Sequence, residues 1–276
     1  MKYKAWDKTN KVENDYRKAL NRFTTAFKKL AGTSSSISEF QERMLKFQQS
    51  SEFEKMVLLA VKNMVTPIAT MNMRTWREAA KRASRSPMLY KMLLEEINSG
   101  LAKDIEKQIH ENSLLIRTLP SDVADKVTKD IYKEGLQGLR SSEIAKHISK
   151  YTNQHSKASA KLIARTETSK TMSALTEARA RDLNLNWYVW RTEQDGDRVR
   201  PSHRIMEGVL VNFSDPPSPE RLAGLPSVGT YHAGNIWNCR CYEEPLLEIE
   251  DVSWPHKVHI NGQIKTMTKE EFEVIM

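Results

Sequence analysis

Two cysteines, Cys239 and Cys241, stand one residue apart in Asn238-Cys239-Arg240-Cys241, and they are the only thiols in the chain. Upstream lies a compact polar run, Asp197-Arg198-Val199-Arg200-Pro201-Ser202-His203. Side chains on an extended segment alternate with a period of two, so a Cys-x-Cys pair points both sulfurs to one face. A disulfide between such neighbours is strained, because bridged Cα atoms ordinarily lie about 4.4–6.8 Å apart with matched Cβ directions. Two chemistries remain. In the first, His203, Cys239 and Cys241 converge on a structural zinc ion, which asks for a fourth tetrahedral donor from Asp195, Asp197 or His232. In the second, His203 is a buried hydrogen-bonded imidazole and both thiols pack as small hydrophobes. Asp197 then pairs with Arg200 or Arg240 and clamps the loop to a sheet. Either way the task is structural rather than catalytic.

A second group of residues suits anions. Arg74, Arg77, Lys81 and Arg85 are spaced three, four and four apart, so on a helix they share one face. A row of such cations matches phosphate oxygens without reading a base sequence, and predicts non-specific contact with double-stranded DNA. The competing reading is a solvated helix face paired with acids on a neighbouring helix. Lys157, Lys161, Arg165, Lys170, Arg179 and Arg181 follow later, partly neutralised by Glu167, Glu177 and Asp182, and read as structural. A metal-dependent nuclease of the His-Asn-His type is the enzyme alternative, built from His203, His232, Asn235 and His256. It lacks a histidine dyad ahead of a strand–loop–helix at the required spacing. A host DNA-binding regulator is the other rival.

The elements that position these groups follow from composition and periodicity. With 276 residues, 28% charged and 39% hydrophobic, the chain can bury a sizeable core. Its mean hydropathy of −0.60 describes a soluble chain. The longest aliphatic run, Met56 to Val61, predicts no membrane helix, and Met1 to Asn21 shows no signal-peptide core. The net charge of +8 is uneven: residues 1–30 hold nine Lys/Arg against three acids, and residues 243–276 hold eight acids against three lysines. Polyanions suit the first end.

Residues 10 to 184 read as helical. Ser36 with Glu39 has capping-box spacing, and Phe40, Met44 and Phe47 form one face behind it. Pro67 ends or kinks the apolar helix Met56–Val65, a further helix covers Thr75–Ala83, and another runs from Met88 toward Gly100. Leu119-Pro120-Ser121-Asp122 reads as a break and N-cap, followed by Val123, Val127 and Ile131, with Gly135 and Gly138 closing the segment. A short helix with Ile144 and Ile148 comes next, then a long one from His155 to Asp182. Past Asn184, residues 186–192 and 207–213 read as strands and Cys239–Leu247 as a third extended piece, with a proline-rich loop between. The fold class is therefore a mostly α N-terminal region followed by a small α+β domain with a short antiparallel sheet. The expected divisions are 1–150, 151–250 and a C-terminal extension, 251–276.

These pieces carry a resemblance. Ile163-Ala164-Arg165-Thr166-Glu167, Trp187 to Thr192, Asp197 to His203, Glu207-Gly208 and Ile236 to Cys241 stand in an order similar to the phage head-morphogenesis domain of Mu F-like minor head proteins. Gly135-Leu136-Gln137-Gly138 and Ser142 to Ala145 resemble its helical lead-in, so the likeness covers roughly residues 115–245. Where the family often has prolines ahead of the cysteines, this chain has His232-Ala233-Gly234-Asn235-Ile236, which reshapes that loop or adds a polar group to it. The structural motif is then Asp197, Arg200, Gly208 and Arg240. The resemblance implies a non-enzymatic minor head protein of a tailed phage, acting in procapsid assembly at the portal vertex. Its implied partners are the portal protein, double-stranded DNA, and capsid or scaffolding protein, without a membrane. Its implied location is the virion, inside the head near the portal, after assembly in the host cytoplasm.

Overall fold

Apolar residues that recur every three or four positions set the helices, and the computed structural model describes residues 10–81, 87–88, 91, 101–134, 141–193 and 199–276. Helices α1 (Asn10–Gly32), α2 (Ile37–Gln48), α3 (Ser51–Ala80), α4 (Leu101–Lys133) and α5 (Ser141–Asp182) make up the first part. Past them come strand β1 (Trp187–Arg191), the short helix α6 (Pro201–Arg204), β2 (Leu210–Asn212), helix α7 (Pro219–Leu222) and β3 (Tyr242–Pro245). A 3-10 turn at Ile249–Asp251, β4 (His256–Ile260), β5 (Gln263–Met267) and α8 (Lys269–Glu273) complete the order.

The contacts divide the chain into two compact units, Asn10–Thr66 with Lys107–Glu167, and Pro67–Glu106 with Thr168–Met276. In the first unit an aromatic cluster holds α1, α2 and α3 together. Phe23 meets Phe53 edge-on at 5.5 Å, and Phe47 meets Phe27 at 6.1 Å and Phe53 at 5.4 Å. Each fully buried phenylalanine contributes about 1.5–3 kcal/mol of transfer free energy, more than helix propensity supplies. Phe40 and Met44 are buried as their spacing predicts. The Ser36 hydroxyl accepts from the Glu39 amide at 3.1 Å, while the Glu39 carboxylate turns to Ser35, accepting from its amide at 2.7 Å and its hydroxyl at 2.6 Å. Half of the expected capping box is therefore formed, one residue out of place.

Proline proves a weaker punctuation mark than its chemistry suggests. Pro67 lies inside α3 and Pro120 inside α4, so neither ends a helix. Buried faces run across both sites, through Val61, Met64, Val65 and Ile68 in one case and Ile116, Leu119, Val123 and Val127 in the other. Packing along such a face outweighs the one hydrogen bond each proline removes. The same reason merges the two helices expected over 141–182 into α5. Gly135, Gly138, Arg85 and nearly all of the helix expected from Met88 to Gly100 lie outside the described residues. Helix α3 is also long and apolar enough, by length and composition, to cross a membrane. Phe53, Val57, Val61 and Met64 of that helix are completely buried in the fold.

The second unit is built on a five-stranded sheet in the order β3-β1-β2-β4-β5. All pairings are antiparallel except β2 with β4, where Leu210 stands beside Val258. The sheet is thus mixed, and larger than the short antiparallel one expected. β1 lies inside it, with Trp187 to Trp190 all buried. Tyr188 and Trp190 face one core with Met206, Val209, Ile236 and the cysteines, and Trp187 and Val189 face another with Leu210, Val258 and Phe272. Residues 251–276 are no mere extension, because β4 and β5 complete the sheet. Their turn, Asn261-Gly262, has φ of 52° and 71°, the two positive values that a tight hairpin of right-handed twist demands. The divisions expected at 150 and 250 therefore differ from those the contacts make, which fall within α3, α4 and α5.

Candidate functional site

Helix α6 is a single turn started by Pro201, whose fixed φ suits the first helical position. It sets His203, 2% exposed, toward the loop that carries the cysteines. His203 Nδ1 lies 3.3 Å from Cys241 Sγ and 3.6 Å from Cys239 Sγ. The two sulfurs do share a face, as the spacing predicts. His203 Nε2 lies 3.0 Å from the Tyr231 hydroxyl, which itself donates to Glu220 at 2.7 Å from Oε1 and 2.9 Å from Oε2. With the tyrosine proton directed to the carboxylate, its oxygen is the acceptor for Nε2, and Nδ1 faces the two sulfurs. The hydrogen bond from Cys241 holds Cys239 well below the ordinary thiol value. Retaining that proton pushes Cys241 up.

Backbone devices hold the loop. The Ser169 hydroxyl of α5 donates to the Cys239 carbonyl at 2.9 Å, and Arg200 donates to the Trp237 carbonyl at 2.8 Å. The Arg200 guanidinium also lies 5.2 Å from the centre of the Trp237 ring. Gly208, at φ 79°, donates its amide to the Trp190 carbonyl at 2.9 Å, and its own carbonyl accepts from His256 Nε2 at 2.8 Å. Gly234 lies in the stretch ahead of the cysteines that departs from the family pattern. Its φ is 83°, and an added Cβ would meet the Cys241 carbonyl oxygen at 2.9 Å and that of Ser169 at 3.4 Å. Gly234→Ala should therefore cost about 2–4 kcal/mol in urea unfolding, from backbone strain plus the clash. Gly224→Ala, at φ 73° with open space around it, should cost about 1–2 kcal/mol, from strain alone. Equal losses in the two variants would refute the close-approach explanation.

His232 is not drawn into the cluster. Its Nδ1 lies 3.2 Å from the Tyr188 hydroxyl, and burial pushes its pKa down to about 4. It is one of three residues expected to offer a fourth donor, but the turn at Ala233-Gly234 directs it to Tyr188 on β1. His203, Cys239 and Cys241 are the one group of three or more His, Cys, Asp or Glu residues among the described residues with metal-ligand proximity. Asp195 and Asp197 lie outside the described residues, and with them the expected pairing of Asp197 to Arg200 or Arg240. The histidines of the nuclease alternative have separate partners, His203 the sulfurs, His232 Tyr188 and His256 Gly208. Sequence reading missed Tyr231 and Glu220, which sit 28 and 17 residues from His203 in a stretch read only as loop.

The basic stripe lines a cavity. Arg74, Arg77 and Lys81 border a space of about 720 Å³ together with Arg179, Met73, Leu101 and Ile105. Among the described residues, Glu78 is the only acid on its walls. Arg179 is fully buried and donates to Asn72 Oδ1, while Asn72 Nδ2 donates to Thr176 at 2.8 Å. Arg165 and Arg181 meet Glu13 at 3.6 Å and Asp104 at 3.4 Å, in keeping with their structural reading.

Residues 122–243 match the family described as Phage Mu protein F like protein. The match bears out the resemblance drawn from the motifs and associates this segment with phage head proteins. Over 180 residues the chain is also 27% identical to a protein of Haemophilus influenzae (strain ATCC 51907 / DSM 11121 / KW20 / Rd) described as "Uncharacterized protein". That alignment takes in 65% of this chain and 36% of the relative, so the chain spans about a third of the relative's length. No solved structure matches.

Proposed function

We propose that this protein is a minor head protein of a tailed phage that acts in procapsid assembly at the portal vertex and touches DNA without sequence preference. The observation that carries the reading is the family match over residues 122–243, which include the cysteine loop, β1 and β2. The cationic cavity supports the DNA contact. Arg74 and Arg77 lie on successive turns of α3 and Lys81 just past its end, all lining a space with a single acid among the described residues. Guanidinium groups so placed meet phosphate oxygens and ignore base edges. The His/Cys cluster supports a structural rather than a catalytic part, since every ligand atom is buried behind an apolar shell. On this reading the portal protein is the main partner, with capsid or scaffolding protein beside it. The protein resides inside the head near the portal, after a phase in the host cytoplasm.

Co-expression with the portal protein of the same phage should give a complex that survives size exclusion. DNA binding should weaken steeply with salt and show no preference between unrelated duplexes. Arg74→Ala with Arg77→Ala should reduce the slope of log K against log salt by about 2, roughly one for each cation that no longer meets a phosphate. Tight binding to one duplex sequence, with no portal complex, would overturn the reading.

A further inference from the structure

We propose that His203 Nδ1, Cys239 Sγ and Cys241 Sγ are the ligands of a structural zinc ion that pins the cysteine loop to the sheet. Three independent features of the geometry carry this. First, the spacing fits. A tetrahedral site with Zn–S of ~2.3 Å and Zn–N of ~2.0–2.1 Å has an N-to-S edge of about 3.6 Å. The observed Nδ1-to-sulfur distances are 3.3 and 3.6 Å, and all three donor atoms lie within 4.8 Å of one another.

Second, the imidazole is already held in the ligating orientation, with Nδ1 toward the sulfurs and Nε2 toward a hydrogen-bond acceptor. Tyr231 accepts from Nε2 at 3.0 Å and passes its own proton toward Glu220 at 2.7 Å, so Nδ1 is the ring nitrogen turned to the sulfurs. A ligating histidine characteristically donates its other N–H in this manner, which fixes the ring and raises its basicity. The relay is itself anchored, because Ser202 donates to the same Glu220 oxygen at 3.2 Å. An imidazole that merely filled space would need no such chain behind it.

Third, the surroundings suit a soft, closed site. Trp190, Met206, Val209 and Ile236 enclose the donors, and both cysteines are less than a tenth exposed. Two thiolates and one imidazole form a donor set that favours zinc over the hard cations magnesium and calcium. Both cysteines ligate as thiolates, and any proton still held on sulfur leaves as Zn²⁺ enters. The described residues supply three donors, and the fourth position takes water or a carboxylate oxygen. The proposal is independent of the head-protein reading and would stand if that reading failed.

The test uses the full chain, purified without a metal-affinity step from zinc-supplemented cells. Elemental analysis should find about one zinc per chain, and zinc-edge absorption should show two sulfurs at ~2.3 Å with nitrogen or oxygen at ~2.0 Å. Apo protein titrated with cobalt(II) should develop the thiolate-to-cobalt charge-transfer band in the near ultraviolet. Tyr231→Phe, which keeps the ring and removes the hydrogen-bond partner of His203, should weaken zinc by about 10–100-fold in competition with a chelator. Cys239→Ser and Cys241→Ser should each abolish the cobalt band. Should either variant fail to fold, the cobalt spectrum of the native chain decides. A metal-free native protein with no cobalt band, and with one melting temperature with or without zinc, would overturn the proposal.

Discussion

Trp190→Ala is expected to lower the unfolding free energy by about 3–5 kcal/mol, the largest loss at any single position of the sheet. The indole is fully buried at the centre of β1, whose Trp190 amide donates to the Val209 carbonyl at 2.8 Å. Its ring stands edge-on to His203 at 5.6 Å and tilted to Tyr231 at 6.3 Å. Truncation therefore empties the wall against which the imidazole is held, and strands flanked on both sides cannot shift to fill the gap. The cost should appear in the urea midpoint followed by far-ultraviolet circular dichroism. Trp237→Ala is the matched control. That ring is 53% exposed and leans on Arg200, so its loss should cost less than about 1 kcal/mol. Similar midpoints for the two variants would show that the core on this side of β1 does not carry the unit.

Glu243→Gln should stabilise the protein at alkaline pH and leave it nearly unchanged in mild acid. Burial pushes the Glu243 carboxyl well above the ordinary carboxylate value of 4.5, and nearby Glu177 adds to the rise. The Ser173 hydroxyl, donating to Oε1 at 2.6 Å, opposes it in part. The unfolded chain gives up this proton through its ordinary range, whereas the folded chain retains it. The stability from the neutral form is thus fully present below pH 4.5 and is lost as pH rises toward the folded value. In that window each pH unit removes about 1.4 kcal/mol. Glutamine is neutral throughout and keeps an acceptor for Ser173, so the variant escapes the loss. Melting temperatures at pH 5 and pH 8 check this. Parallel curves for native and variant would mean that Glu243 is charged in the fold.

These outcomes trace to different levels of legibility. The burial of Trp187 to Trp190 was readable as a strand, because four aromatic or β-branched residues in a row fit a pleated surface and nothing else nearby. The hairpin of residues 256–267 was equally readable and was passed over. Its signal is Asn261-Gly262, where only residues tolerant of positive φ can sit, flanked by alternating apolar residues. The helix ends were not readable in the same way. Pro67 and Pro120 carry a local penalty that a buried face spanning several turns exceeds, and the size of that face depends on partners distant in sequence.

The amino-acid order alone determined which groups could do chemistry here: a thiol pair with period-two spacing, one histidine at the start of a proline-led turn, and a helical row of cations. Those are local matters of residue type and spacing. Only the tertiary structure decided which groups meet. It brought Tyr231 and Glu220 behind His203, turned His232 away to Tyr188, and set Arg179 on the walls of the same cavity as Arg74 and Arg77. Such pairings join residues that are far apart along the chain, and they depend on how whole elements bury their apolar faces, which no short window of sequence contains.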